Sequence, residues 1–146
     1  MIETGYSFCP NDTFLFYAWA HEKVGQECPI KPELHDVETL NQKALQEELV
    51  LTKLSFGVLS GLQNSYSFLA AGAALGWNCG PKLIAQKPFS LEDISDKVIA
   101  IPGEHTTAHL LLNKLLPSPR GKVFCRYDEI TSLLQEGHVD AGLIIH

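Results

Sequence analysis

The sequence lacks the paired cysteines, excess basic charge and long apolar runs that mark metal-binding, nucleic-acid-binding and membrane-spanning proteins. Its 4 cysteines include no C-x-x-C pair, so neither a zinc knuckle nor a dithiol redox site is indicated. Lys and Arg total 11 against 17 Asp and Glu, and the net charge of −6 argues against a nucleic-acid groove. No apolar run reaches the roughly 18 residues of a membrane span. We therefore expect a small-molecule partner, with neither nucleic acid nor membrane.

The N-terminus also lacks the basic and apolar segments of a signal peptide. We expect a cytoplasmic protein with free thiols at Cys9, Cys28, Cys79 and Cys125. No glycine-rich phosphate motif follows any predicted strand, so there is no case for a dinucleotide or nucleoside triphosphate.

Short apolar strands alternate with segments of helical periodicity along the chain. This order predicts an α/β fold with mostly parallel sheets, in which ligand loops follow the carboxyl ends of the strands. We predict two lobes, 1–87 and 88–146. The predicted strands are 2–8, 33–37, 51–56, 82–86, 122–127 and 143–146, the predicted helices are 14–24, 37–49, 56–62 and 128–136, and residues 98–115 form a strand-turn-helix unit. An apolar segment at 66–74 is expected to be buried.

The loop after the first strand is dense in small polar residues. Ser7, Asn11, Asp12 and Thr13 all lie near one predicted helix start. Asn11 or Asp12 suits the N-cap, so the loop is either a capping device or part of a ligand site. Asp128 is expected to cap the helix over 128–136 in the same way.

The strand-turn-helix unit over 98–115 places Thr106 and Thr107 at a helix start. The first turn of a helix leaves backbone N–H groups without intrahelical partners. A hydroxyl cap or the oxygens of a bound carboxylate or phosphate can satisfy them. Both alternatives fit the residues.

Three further positions are candidates for chemistry. Lys53 ends a predicted strand, as a solvated residue or a ligand contact. His105 and His109 have the spacing of zinc ligands, but nothing nearby supplies a third, so no metal is expected. An apolar strand delivers His146 to its carboxyl end, where it is either a general base or a hydrogen-bonded core histidine.

Residues 7–14, Ser-Phe-Cys-Pro-Asn-Asp-Thr-Phe, resemble the S-P-C-P-N-D-T-F opening of the 1,4-dihydroxy-6-naphthoate synthases of the futalosine route to menaquinone. Phe8 replaces the usual proline and leaves the polar groups intact. The stretches 36–41, 52–56, 79–81, 106–110 and 140–146 resemble further family stretches in the same order. The resemblance covers only the N-terminal part of the family's chains. We therefore expect a fold that is truncated relative to that of the family.

The resemblance implies a two-lobed fold similar to type II periplasmic binding proteins. It also implies a lyase that converts cyclic de-hypoxanthine futalosine to 1,4-dihydroxy-6-naphthoate without a cofactor. His146 matches the family's proton acceptor. The positions matching substrate contacts are Lys53, Leu54, Ser55, Thr107 and Ala108.

Two classes of function follow. The first is this lyase, which we expect to be silent in the 146-residue chain alone. The alternative is a non-catalytic protein of the same fold that binds a small carboxylate. We also expect self-association, because the apolar surface of residues 143–145 would be left partly uncovered.

Overall fold

The computed structural model describes residues 1–145. The chain divides into two compact units, Met1–Leu75 and Gly76–His146. No helix among the described residues has the length and apolar character needed to cross a membrane.

The first unit is built on a parallel sheet of three strands. Strand β1 (Ile2–Ser7) lies in the middle, between β2 (Ile30–His35) and β3 (Leu51–Thr52). Thr4 of β1 pairs with Pro32 on one side and Leu51 on the other. Because all three strands run in the same direction, the loops after them emerge at one edge of the sheet.

Two helices connect these strands. Helix α1 (Pro10–Ala20) follows β1, and helix α2 (Val37–Leu45) follows β2. Asp36 caps α2 by accepting hydrogen bonds from the backbone N–H groups of Glu38 and Thr39. Helix α1 begins instead with Pro10 in its first turn, which suits proline because the N–H it lacks would have no partner there.

The packing of α2 against β1 requires a residue without a side chain. A Cβ on Gly5 would lie 2.6 Å from Leu49 Cδ1 and 2.7 Å from Leu40 Cδ2. Leu40 is fully buried, so glycine at this position allows α2 to approach the sheet closely. A 3-10 helix at Phe56–Gly61 then covers α2, with Ala44, Val58 and Leu62 forming the buried contact.

The second unit contains a four-stranded sheet in the order β4-β7-β5-β6. These strands are Lys82–Ile84 (β4), Val98–Ile101 (β5), Gly121–Phe124 (β6) and Ala141–Ile144 (β7), and only the pairing of β4 with β7 is antiparallel. Helices α3 (Thr107–Leu115) and α4 (Ile130–Gln135) and a 3-10 helix (Leu91–Asp96) complete the unit.

Alternating residues of β5 divide the core of this unit into two clusters. Ile99 and Ile101 pack with Ala108 and Leu112 of α3. Ala100 packs with α4, whose buried residues include Ile130. The period of two along β5 therefore places one helix on each face of the sheet.

The predicted α/β class with mostly parallel sheets is confirmed, and the structure differs from the prediction in some details. The residues of the predicted segment 66–74 include Phe68 and Leu69, which are 54% and 69% exposed. The segment is apolar but has neither helical nor strand periodicity, and it forms no regular element.

The structure divides between Leu75 and Gly76, before the boundary at 87/88, and the lobes 1–87 and 88–146 stay a prediction. The reason is that β4 pairs with β7 and so belongs to the second sheet. Helix α4 begins at Ile130, without a side-chain cap, and Asp128 instead pairs with Arg126 at 2.9 Å.

Strand β7 is not an uncovered edge. It lies between β4 and β5, and Leu143 is buried. Ile145 after the strand is 53% exposed, so the apolar surface of 143–145 is partly uncovered, and self-association stays a prediction.

Candidate functional site

Ser7, Asp12 and Lys53 meet at the carboxyl edge of the first sheet. Ser7 is the last residue of β1, Asp12 lies in the first turn of α1, and Lys53 directly follows β3. The backbone N–H of Lys53 still donates to Gly5 O at 2.7 Å, which continues the pairing of β3 with β1 and fixes where the lysine side chain begins.

The Asp12 carboxylate joins the three residues. Its Oδ2 accepts from the Ser7 hydroxyl at 2.7 Å and from the Ser7 backbone N–H at 3.2 Å. Its Oδ1 accepts from Lys53 Nζ at 3.1 Å. Asp12 and Ser7 are buried and the Lys53 side chain is 20% exposed, so the ion pair is largely shielded from water. Asp12 is thus not the predicted N-cap, because its carboxylate points back to β1 rather than to the helix backbone.

A second pair positions Ser55. Asn41, fully buried on α2, accepts from the Ser55 backbone N–H through Oδ1 at 2.9 Å. Its Nδ2 lies 3.0 Å from the Ser55 hydroxyl oxygen. Asn41 is not among the site residues predicted from the sequence. The available signal was a polar residue beside Leu40 and Ala44, on the helix face that packs against the core.

The remaining candidates of this unit have simpler roles in the structure. The Thr13 hydroxyl donates at 3.0 Å to Cys9 O, on the residue just before its own helix, and Asn11 is exposed. The side chain of Leu54 packs on the cluster of Ala44, Val58 and Leu62. The described contacts therefore bring Ser7, Asp12 and Lys53 together. Ser55, two residues after Lys53, is fixed separately by its hydrogen bonds to Asn41.

A half-buried tyrosine, Tyr66, packs on the same cluster as Leu54. It donates its hydroxyl to Leu49 O at 2.6 Å. Burial raises the pKa of the Tyr66 phenol above its ordinary value. Its hydroxyl therefore remains protonated and keeps donating across the neutral range.

In the second unit, Thr106 is the N-cap of α3. Its Oγ1 accepts from the His109 N–H at 3.3 Å and donates to Gly103 O at 2.9 Å. Thr107 and Ala108 form the first turn of the helix, and Ala108 is buried. The hydroxyl-cap alternative is therefore confirmed for Thr106, while an anion contact at Thr107 and Ala108 stays a prediction.

His109 is engaged by protein groups at both ring nitrogens. Nδ1 lies 2.7 Å from Glu104 O and must donate to it, because a carbonyl oxygen only accepts. Nε2 then accepts from Lys122 Nζ and Asn113 Nδ2, each at 3.0 Å. Among residues 1–145, no group of three or more His, Cys, Asp or Glu side chains is arranged to hold a metal ion.

Cys125 follows β6, also at the carboxyl end of a strand. Burial raises the pKa of its thiol, and the nearby carboxylate of Glu129 adds to the effect. A thiol with a raised pKa is a poor nucleophile at neutral pH. All four cysteines are free, and Cys28 and Cys79 are the exposed ones.

His146, the predicted proton acceptor, lies outside the described residues. The described part of the chain ends one residue earlier, directly after β7.

Comparison with known proteins places this geometry in context. The sequence profile of a family described as "Menaquinone biosynthesis" matches residues 2–146. A curated relative, the 1,4-dihydroxy-6-naphtoate synthase of Thermus thermophilus, is 44% identical over 99% of this chain. The match covers 52% of that relative, so the chain spans about half its length.

Solved structures agree on the fold. A crystal structure of a protein from Archaeoglobus fulgidus matches with a TM-score of 0.91 and 35% identity, over 99% of this chain and 53% of that one. A solute receptor for L-cysteine from Neisseria gonorrhoeae matches with a TM-score of 0.68 and 13% identity, over 99% and 63% of the two chains. The predicted periplasmic-binding-protein-like fold is thereby confirmed.

Proposed function

Since the chain belongs to the menaquinone biosynthesis family, we propose that it forms the N-terminal, substrate-binding part of a 1,4-dihydroxy-6-naphthoate synthase. The observation that carries this proposal is the 44% identity to the Thermus thermophilus relative over nearly all of the chain. The polar cluster at the carboxyl edge of the first sheet supports it, because ligands of open parallel sheets bind at that edge.

The proposed reaction is a lyase cleavage of cyclic de-hypoxanthine futalosine that releases 1,4-dihydroxy-6-naphthoate. His146 is proposed as the base that removes a proton from the substrate to begin bond cleavage, a role suited to an imidazole near neutral pH. Lys53 and Ser55 are proposed as substrate contacts of the first unit. Thr107 and Ala108 are proposed to hold a carboxylate at the start of α3, where the helix dipole favours negative charge.

A chimera tests this function directly. The corresponding first half of the Thermus thermophilus relative is replaced by residues 1–146 of this chain, and the purified chimera is given cyclic de-hypoxanthine futalosine. Formation of 1,4-dihydroxy-6-naphthoate at a rate comparable to the relative's is expected. A folded chimera that binds the substrate without forming product would instead favour the alternative, a non-catalytic binding protein.

The base is tested in the same chimera. His146→Asn should lower turnover by about 10²- to 10⁴-fold while leaving much of the substrate affinity, because a positioned base acts on the chemical step. His138→Asn is the matched control, since its side chain is 64% exposed and pairs only with Glu136 in the described contacts. Equal turnover in the two variants would remove His146 from the chemistry.

A further inference from the structure

The cluster of Ser7, Asp12 and Lys53 has a defined hydrogen-bond polarity. The Ser7 hydroxyl and Lys53 Nζ bond opposite oxygens of one carboxylate, at 2.7 Å and 3.1 Å. An ionised carboxylate has no hydrogen and can only accept. The single hydroxyl hydrogen of Ser7 is therefore committed to Asp12.

Ser7 can consequently offer a ligand only its lone pairs. One of them is used weakly by the backbone N–H of Cys9, 3.4 Å away. The other remains for a donor from the ligand. Lys53 has the opposite character, because an ammonium group carries three N–H donors and Asp12 takes one of them.

The charge of the cluster is also balanced. The Lys53 ammonium and the Asp12 carboxylate form an ion pair, with side chains 20% and 10% exposed. A ligand at this edge therefore meets an acceptor and donors that carry no net charge between them. It does not meet an uncompensated cation, which is what a carboxylate-binding lysine would supply.

We propose that Asp12 is a positioning residue that makes this cluster select a ligand hydroxyl over a carboxylate, an inference that rests on the proposed function. A hydroxyl donates to Ser7 and accepts from Lys53 at once, so both partners are satisfied. A bound carboxylate has no hydrogen to donate, so it would leave the Ser7 acceptor without a donor and would lie beside the like charge of Asp12. Unpaired polar groups and like-charge contacts both weaken the binding of the wrong ligand.

The test compares two ligands with the same carboxylate: 1,4-dihydroxy-6-naphthoate and 2-naphthoate, which lacks the hydroxyls. Titration calorimetry of the full chain should show a preference of roughly three- to tenfold for the dihydroxy compound, the range that one net hydrogen bond supplies. Asp12→Asn should narrow this preference by strengthening 2-naphthoate, because the neutral amide no longer repels a carboxylate at Lys53 while its oxygen still accepts from Ser7. It should also make anion binding more sensitive to salt, because Lys53 is then uncompensated.

Glu3→Gln is the matched control. It makes the same carboxylate-to-amide change in the same unit, on β1 at the exposed ion pair with Lys31, and should keep the preference. If Asp12→Asn does not fold, Ser7→Ala replaces it, because that variant removes the acceptor directly and should lose the preference. An undiminished preference in the folded Asp12→Asn variant, or a preference that survives in Ser7→Ala, overturns the inference and leaves the proposed function standing.

If the unaltered chain binds neither naphthoate, the proposed ligand is wrong, and the cluster is then tested alone. NMR shifts of the Lys53 side chain are followed with erythritol, a neutral polyol, and with acetate at constant ionic strength. Shifts with erythritol only, and with acetate after Asp12→Asn, support the inference. Shifts with acetate only in the unaltered chain overturn it.

Discussion

Asn41 and Ser55 are joined by two hydrogen bonds of opposite direction. The Ser55 backbone N–H must donate, so the Asn41 atom 2.9 Å away is its carbonyl oxygen. The amide nitrogen therefore faces the Ser55 hydroxyl at 3.0 Å and donates to it. This arrangement commits an oxygen lone pair of Ser55 to Asn41 and does not use the hydroxyl hydrogen.

Asn41→Leu should destabilise the fold. Leucine fits an apolar site but leaves the Ser55 N–H without its partner, which costs about 1 to 3 kcal/mol of unfolding free energy. Urea denaturation measures it. Gln42→Leu, on the exposed face of the same helix, is the control and should change stability by less than the buried substitution. Equal effects of the two variants would contradict the importance of the Asn41–Ser55 pair.

Thr106→Val should reduce stability through the loss of the α3 cap. The valine has no oxygen to accept from the His109 N–H, and such caps contribute about 0.5 to 2 kcal/mol. The decrease should appear in the unfolding midpoint of the second unit. An unchanged midpoint would mean that water or the neighbouring backbone replaces the cap without cost.

Thr107→Val should have its main effect on binding. If the Thr107 hydroxyl and the first-turn N–H groups hold a carboxylate, its removal should weaken binding of 1,4-dihydroxy-6-naphthoate by about 1 to 3 kcal/mol. Titration calorimetry in the chimera measures the affinity. Thr106→Val is the matched comparison, and unchanged affinity in Thr107→Val would exclude its hydroxyl from the site.

Cys125 should be alkylated slowly at neutral pH. Its raised pKa keeps it in the thiol form, so its reaction with iodoacetamide should accelerate only as the pH rises toward that value. Peptide mass spectrometry of the native chain should show modification first at the exposed Cys28 and Cys79. In denaturant without reductant, all 4 cysteines should react. A count of two would instead indicate a disulfide.

Gly142→Ala should be strongly destabilising. Gly142 lies in β7, and an added Cβ would clash with Cγ2 of Ile130, a fully buried residue of α4. Because that methyl is attached to a branched carbon, only a shift of α4 relieves the contact, at a cost of about 1 to 3 kcal/mol. Gly80→Ala is the control, since nothing lies within 4 Å of its Cβ position.

The elements of this fold were predictable where a local pattern repeats. The strand-turn-helix unit over 98–115 has a period of two followed by helical spacing, and Thr106 occupies the predicted cap. The helix over 128–136 was predicted to begin too early because Asp128 suits a cap by residue type alone. In the structure its carboxylate pairs with Arg126, a contact that the helix-capping pattern does not consider.

The site depends on contacts that no local pattern contains. Asp12 and Lys53 are 41 residues apart, and their ion pair forms because β1 and β3 are neighbours in the sheet. Local patterns place each residue near a strand end, but for Asp12 they offer only helix capping or a ligand site and contain no sign of its contact with β1. The antiparallel pairing of β4 with β7 could likewise not be predicted from the sequence of either strand, because strand direction depends on the connections between strands.

The order of strands in the second sheet constrains how the chain folds during synthesis. Strand β7 is made last of the four, yet it lies between β4 and β5 and pairs with both. The ribosome must therefore release β7 before β4 can join the sheet. The strands of the first unit all precede residue 53, so that unit can fold while the second is still being translated. We infer that the edge of nascent β5 that β7 covers stays unpaired until residues 141–144 are made, which makes this interval an aggregation-prone stage of biosynthesis.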